Sequence, residues 1–123
     1  MLTRARLMAF AATAKPDEAR RFYAEVLSLP LTEESAFALV FDVAGTMLRV
    51  QKVAAFVPAG HTALGWQVDD IRGTIHKLVQ RGIRMERFDG LPQDESGVWT
   101  TPDGAGVAWF KDPDGNILSL TQF

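Results

Sequence analysis

The stretch WFKDPDGNILSLTQF, residues 109–123, contains two strand-like segments separated by a tight turn. In that turn Pro113 fixes its own φ angle, Gly115 permits a positive φ, and the Asp and Asn side chains bond to nearby backbone groups. Apolar residues alternate with polar ones on both sides of the turn, as they do in paired, half-buried strands. The stretch therefore predicts a β-hairpin that supplies the last two strands of the fold.

Composition limits the class of protein. The chain has 123 residues, of which 47% are hydrophobic, so residues 1–123 are expected to form one domain that buries roughly two-thirds of its unfolded surface. Its 13 basic and 15 acidic residues give a net charge of −2. Because there is no basic excess to neutralise phosphates, we expect no nucleic-acid partner.

The chain contains no cysteine, which excludes disulfides, thiolate metal sites and cysteine nucleophiles. This composition is typical of a cytoplasmic protein. No apolar run approaches the roughly 20 residues that a membrane-spanning helix needs. We therefore predict a cytoplasmic protein without a membrane partner.

The same order of elements is predicted twice, in repeat 1 (5–53) and repeat 2 (61–123). A strand is followed by an amphipathic helix, which begins near Pro16 in repeat 1 and after Asp69 or Asp70 in repeat 2. Helical spacing predicts that the first helix continues to Leu27, and that the second has a buried stripe that includes Val79 and ends at Gly82. Equivalent positions are 55 residues apart at the helices and 70 apart at the last turns, at Gly45 and Gly115. The predicted strands are Leu7–Thr13, Leu31–Glu34, Phe37–Val43 and Met47–Val53, then Ala63–Val68, Ile83–Phe88, Val98–Thr101 with Val107–Lys111, and Ile117–Phe123.

Two further segments, RRFYAEVL (20–27) and GWQVDDI (65–71), are informative in addition to the DPDGN turn and the repeat. Together they resemble the vicinal oxygen chelate superfamily, which contains glyoxalases, bleomycin resistance proteins and dioxygenases. The resemblance implies an α+β fold in which two βαβββ modules form paired curved sheets around a cleft. It also implies a homodimer, since members of this superfamily commonly pair.

Members that use a metal carry His, Gln or Glu ligands on the first and last strands of each module. The resemblance and the repeat carry these four positions to Met8, Arg49, Ala63 and Ser119. A thioether, a guanidinium, a methyl group and a hydroxyl do not hold a hard or borderline divalent cation. We therefore predict no metal and no cofactor.

A register slip of two residues keeps side chains on the same face of a strand. It would bring His61, Gln51 and Gln67 towards the cleft as a weak ligand set without a carboxylate. The alternative for His61 is a solvent-exposed histidine at a strand start, and His76 is expected on the polar side of the second helix.

Strand alternation predicts a mostly apolar and aromatic cleft with a few polar groups, which is typical of a small-molecule site. The strongest candidate in it is Arg49, whose guanidinium needs either a protein carboxylate, such as Glu86 or Asp42, or a ligand carboxylate or phosphate. The candidate ligand-binding residues are Met8, Phe10, Met47, Arg49, Gln51, His61, Gln67, Trp99, Trp109, Lys111, Ser119 and Thr121.

Some residues have a simpler structural interpretation. Phe22, Tyr23 and Trp66 are expected to pack in the core. The loop 89–97 carries Asp94 and Glu95, which are either solvated loop charges or a general base that reaches the cleft.

Three functions remain open at this stage. The first is a metal-free, small-molecule-binding protein of the bleomycin-resistance type that takes a polar or anionic ligand. The second is a metal-dependent lyase, isomerase or dioxygenase with an atypical metal shell, and the third is a structural or regulatory dimerisation module. The sequence leaves the identity of the ligand, the presence of any catalysed reaction and the dimer geometry undecided.

Overall fold

A computed structural model describes all residues, 1–123. The chain divides into two compact units, an N-terminal unit, Met1–Val57, and a C-terminal unit, Pro58–Phe123. Each unit has one four-stranded sheet and one α-helix that follows its first strand. The predicted duplication of a βαβββ module is therefore confirmed. Neither helix is long and apolar enough to span a membrane.

The N-terminal sheet has the strand order β1-β4-β3-β2. Strands β1 and β4 are parallel, whereas the other two pairs are antiparallel. The strands and the helix that follows β1 are β1 (Met8–Thr13), α1 (Pro16–Arg21), β2 (Leu31–Glu34), β3 (Ala38–Val43) and β4 (Thr46–Lys52).

Helix α1 begins at Pro16, as predicted, but it does not continue as an α-helix to Leu27. Residues Phe22–Val26 are π-helical, and the amide of Leu27 donates to the carbonyl of Phe22 at 2.9 Å. Here Phe22 and Tyr23 are both buried, at 5% and 0% exposure, and their rings make an edge contact at 5.0 Å. The wider turn accompanies the burial of two consecutive aromatic rings.

The C-terminal sheet repeats this topology, with the strand order β5-β8-β7-β6. Asp70 is the N-cap of α2, and its carboxylate accepts from the amide of Gly73 at 3.0 Å. Gly82, with φ of 90°, follows the end of α2 as predicted. The elements are β5 (Thr62–Gln67), α2 (Ile71–Gln80), β6 (Trp99–Thr100), β7 (Gly106–Lys111) and β8 (Ile117–Gln122).

Two sequence predictions in this unit were wrong. Segment 83–88 is not a strand, because it has only one backbone hydrogen bond to β7, from the amide of Glu86 to the carbonyl of Trp109. The side chain of Gln93 bonds instead to the amide of Phe88 and the carbonyl of Glu86. Val79 was placed on the buried stripe of α2, but it lies at the margin of that stripe and is 51% exposed.

The predicted hairpin of β7 and β8 forms. Gly115 has φ of 89°. The buried carboxylate of Asp112 accepts from the amides of Asp114 and Asn116 at 3.0 and 2.9 Å, and from the side chain of Asn116 at 2.8 Å. These bonds fix the turn and with it the register between β7 and β8.

The register confirms the arithmetic of the repeat. Phe10 pairs with Arg49 across β1 and β4, and Gly65 pairs with Ser119 across β5 and β8. Phe10 and Gly65 are 55 residues apart, and Arg49 and Ser119 are 70 apart. The two pairs therefore occupy equivalent places in the two sheets.

Each sheet has one face that packs against its own helix. In the N-terminal unit the ring of Tyr23 lies 5.7 Å from that of Phe41 on β3. In the C-terminal unit a Cβ on Gly106 would lie 3.7 Å from Ile71 of α2. We call the opposite face of each sheet its distal face, since side chains alternate between the two faces along a strand.

Candidate functional site

The distal face of the N-terminal sheet brings together five of the predicted site residues. The parallel register pairs Met8 with Met47, Phe10 with Arg49 and Ala12 with Gln51. Met8, Phe10 and Met47 are 41%, 48% and 42% exposed. A patch of large apolar side chains thus surrounds one cationic side chain. The site residues on this face are Met8, Phe10, Met47, Arg49 and Gln51.

Arg49 lies in the middle of this patch. Phe10 is its neighbour on β1, and the buried Val40 is its neighbour on β3. The side chain is half buried, and its guanidinium makes no hydrogen bond or ion pair within the chain. A partly desolvated guanidinium without a partner is unusual, because its donors lose water without gaining acceptors.

Neither carboxylate proposed as a partner for Arg49 pairs with it. Asp42 lies on the same face, opposite Met47, and accepts from the amide of Gly45 at 3.1 Å. Glu86 forms an ion pair with Lys111 at 3.6 Å. The prediction that Asp42 or Glu86 pairs with Arg49 is therefore wrong, and the Arg49 guanidinium has no salt bridge within the chain.

A pocket of about 350 Å³ lies at one end of this face. It reaches Met47, which is two residues from Arg49 on the same side of β4. The residues that line it are Arg6, Leu7, Met8, Thr32, Phe41, Asp42, Gly45 and Met47.

The distal face of the C-terminal sheet is aromatic. The ring of Trp109 stacks on Trp99 with centroids 6.4 Å apart and meets the edge of Phe88 at 5.3 Å. Sequence reasoning missed Phe88, because the course of segment 83–88 cannot be read from periodicity. The predicted site residues on this face are Gln67, Trp99, Trp109, Lys111, Ser119 and Thr121.

Ser119 is buried on the distal face of the C-terminal sheet. It is 8% exposed, and a Cβ built on Gly65 would come within 2.7 Å of its Oγ. The missing side chain at position 65 leaves the space that the hydroxyl occupies. The sequence contains this signal only as a glycine inside a strand, a pattern that marks a close approach.

The residues at the four ligand positions do not fit a divalent metal. Met8, Arg49, Ala63 and Ser119 provide no imidazole, amide or carboxylate donor. No group of three His, Cys, Asp or Glu side chains in the chain is arranged to hold a metal ion. His61 is exposed, just before β5, and His76 is exposed on α2. The roles of all these residues in ligand binding stay predictions.

Asp94 organises its own loop. Its carboxylate accepts from Arg72 and from the amides of Ser96 and Val98, the amides both at 2.9 Å. Burial raises the pKa of Asp94, but these hydrogen bonds together outweigh it, and the pKa lies below its usual value. An ionised carboxylate held in this way is a poor candidate for a general base, and Glu95 is exposed beside it.

Comparison with known proteins decides the family. The sequence model of the Glyoxalase-like domain matches residues 8–121, which include both sheets except for the last residue of β8. The chain belongs to the glyoxalase-like family. A search of curated proteins gives no significant match to this glyoxalase-like domain.

Solved structures share its fold. A member of the glyoxalase/bleomycin resistance protein/dioxygenase superfamily from Sphaerobacter thermophilus DSM 20745 has a TM-score of 0.76 and 19% identity, with both chains covered fully at 100%. Lactoylglutathione lyase from Agrobacterium tumefaciens has a TM-score of 0.75 and 17% identity, over 98% of this chain and 95% of its own. A glyoxalase/bleomycin resistance protein/dioxygenase from Alicyclobacillus acidocaldarius has a TM-score of 0.69 and 18% identity, over 98% and 92%. At these identities the likeness shows the fold alone.

Proposed function

We propose that this glyoxalase-like domain is a small-molecule-binding protein that takes a polar or anionic ligand on the distal face of its N-terminal sheet. The observation that carries the proposal is Arg49, a half-buried guanidinium without a partner. A carboxylate or phosphate would satisfy it with two parallel hydrogen bonds. The ligand would thereby remove the cost of a desolvated, unpaired cation.

The surroundings of Arg49 narrow the class of ligand. Met8, Phe10 and Met47 present exposed apolar surface on the same face. Small-molecule sites combine such a surface with a few oriented polar groups. We therefore infer a ligand with one anionic group and an apolar or aromatic body.

The ligand is proposed to bind without a metal or other cofactor. Support comes from the donor set, since Met8, Ala63 and Ser119 are poor ligands and Arg49 repels a cation. The alternative, a metal-dependent lyase, isomerase or dioxygenase, requires donors that these positions lack. Elemental analysis of protein purified without a nickel column tests this point, and stoichiometric Fe, Mn, Ni or Zn would contradict it.

Isothermal titration calorimetry tests the ligand class, with benzoate, phenyl phosphate and neutral benzyl alcohol as probes. The two anions are expected to bind more tightly than the alcohol. Arg49→Gln should weaken anion binding about tenfold or more, because a hydrogen bond to a charged group contributes about 1.5–3 kcal/mol. Arg49→Lys should restore part of the affinity, since an ammonium keeps the charge but not the planar fork.

Arg4→Gln is the matched control, since Arg4 is exposed and lies outside this face. It should leave the affinity for both anions unchanged. Equal binding of benzyl alcohol and benzoate, or equal losses in the Arg49 and Arg4 variants, would contradict the proposal.

The exposed apolar residues also favour a second candidate, a dimerisation surface. Phe10 is 48% exposed and Phe37 77% exposed, and a homodimer would bury such side chains. Light scattering at micromolar concentration should then show a dimer that Phe10→Ser shifts towards monomer. A monomeric wild type would exclude this candidate.

A cytoplasmic location is also proposed, and it is supported only by the lack of cysteine.

A further inference from the structure

The helix side of the C-terminal unit carries a concentrated positive charge. Five basic residues and one acidic residue, Glu86, lie between positions 71 and 88. Because the whole chain carries −2 and this segment +4, the remaining residues together carry −6. The basic residues are Arg72, Lys77, Arg81, Arg84 and Arg87.

A groove of about 560 Å³ follows this segment, with one wall on α2 and the other on residues 83–87. The α2 wall uses positions at helical spacing, so they share one side of the helix. Glu95 and Ser96 also line the groove, on the loop that follows. The two walls consist of Arg72, Ile75, His76 and Val79, and of Ile83, Arg84, Met85 and Arg87.

Two of the arginines fix the shape of the groove. Arg72 pairs with the carboxylate of Asp94 at 2.5 Å. Arg87 donates to the carbonyls of Asp94 and Glu95 at 2.7 and 2.8 Å. Arg84, by contrast, is exposed and makes no hydrogen bond or ion pair. Arg72 and Arg87 thus connect the walls of the groove to the loop at Asp94, whereas Arg84 is free to bind a partner.

The groove is also apolar along its length. Val79 is 51% exposed, and Ile83 and Met85 are half buried. Nucleic acids would use charge together with stacking on large aromatic rings, but no Phe, Tyr or Trp side chain lines this groove. An acidic segment with apolar side chains matches both the charge and the apolar wall.

We propose that this groove binds a short acidic peptide segment of a partner protein. Acidic side chains would pair with Arg84, and an apolar side chain would pack on Val79 and Ile83. The wall from Arg72 to Val79 spans roughly 10 Å at 1.5 Å per helical residue, which is the length of about three extended residues. The groove belongs to the C-terminal unit, whereas Arg49 belongs to the N-terminal unit.

Fluorescence anisotropy tests the proposal with a labelled Asp-Leu-Glu-Leu-Asp peptide as the probe. Saturable binding is expected, and Arg84→Gln should weaken it about fivefold, the size expected of an exposed charge pair. Val79→Ser should weaken it about threefold, as expected from the lost apolar contact. Both residues are exposed, so the variants should keep the wild-type unfolding midpoint.

The matched controls are Arg4→Gln and Val57→Ser, because Arg4 is exposed and Val57 is 91% exposed. Neither control should change the affinity, and a peptide with both leucines replaced by serine should bind more weakly. The proposal is overturned if the acidic peptide does not saturate, if the serine peptide binds equally well, or if controls and test variants behave alike. Tighter binding of a ten-residue oligothymidylate would assign the groove to nucleic acid instead.

Discussion

Two equivalent places in the repeat have opposite chemistry. Phe10 and Arg49 form one strand pair in the N-terminal sheet, and Gly65 and Ser119 form the corresponding pair in the C-terminal sheet. In the first pair a cation lies beside an exposed aromatic ring and has no partner. In the second pair a hydroxyl fills the space above a glycine. The two units share the backbone register, whereas the side chains at these positions differ.

The difference separates a cation that has no partner from a hydroxyl that packs against a glycine. On the C-terminal distal face the cation Lys111 already has Glu86 as a partner. On the N-terminal distal face Arg49 has none. We therefore expect an anion to bind to the N-terminal distal face and not to the C-terminal one. Equivalent core substitutions in the two units should instead lower the free energy of unfolding by similar amounts.

The largest expected effect concerns the helix faces, where the two units are alike. Phe41 and Phe110 occupy equivalent positions opposite Leu48 and Leu118, and their exposures are 0% and 1%. Replacing either by alanine should lower the free energy of unfolding by about 3–5 kcal/mol, because each leaves a cavity in a packed core. Denaturant titration measures this.

Phe37→Ala is the control for both core variants, since Phe37 is 77% exposed. It should change the free energy of unfolding by less than about 0.5 kcal/mol. A loss below about 1 kcal/mol for one core variant alone would show that the two units are not equivalent in packing.

Gly65→Ala tests the close approach that distinguishes the second strand pair. The new Cβ would lie 2.7 Å from Oγ of Ser119, so the hydroxyl must move, at an expected cost of about 1–3 kcal/mol. Ser119→Ala removes that oxygen, and the double variant should recover most of the loss. Additive losses in the double-mutant cycle would show that the two residues do not meet.

The smallest expected effect is a pH dependence in the N-terminal unit. Hydrogen bonds from Arg20 and then Lys52 lower the pKa of Glu34 from 4.5 to about 2. A carboxylate with a depressed pKa stabilises the fold above its unfolded pKa and loses that contribution as the pH falls. The difference in unfolding midpoint between wild type and Glu34→Gln should therefore shrink from pH 4.5 to pH 2.

Glu33→Gln is the control for the pH series, because Glu33 is exposed and forms no ion pair. Its difference from wild type should stay constant over the same range. A constant difference for Glu34→Gln as well would mean that the cluster around Glu34 does not stabilise the folded chain.

Much of the fold followed from local signals. Alternation predicted all eight observed strands to within one residue at each end, although it joined β6 and β7 into one element, and the DPDGN hairpin set the register from which the repeat was counted. Segment 83–88 escaped the same reasoning, because the side chain of Gln93 supplies bonds that a strand would have made. The π-helical turn at Phe22 escaped it too, since it depends on how two aromatic rings pack.

The site was predictable in composition but not in pairing. Strand parity placed Arg49 among Met8, Phe10 and Met47 on one face, as the register confirms. Which carboxylate meets which cation depends on loop paths, and Glu86 pairs with Lys111 rather than with Arg49. Periodicity contains no information about such long-range pairs.

The most direct test of the Arg49 account is an NMR titration that observes the arginine Nε–Hε signals as benzoate is added. The account predicts a saturable shift of the Arg49 signal, with smaller shifts at the amides of Phe10 and Met47, and no shift at Arg4. Shifts confined to other arginines, or an Arg49 signal that does not move at saturating benzoate, would contradict the claim that this guanidinium receives an anionic ligand.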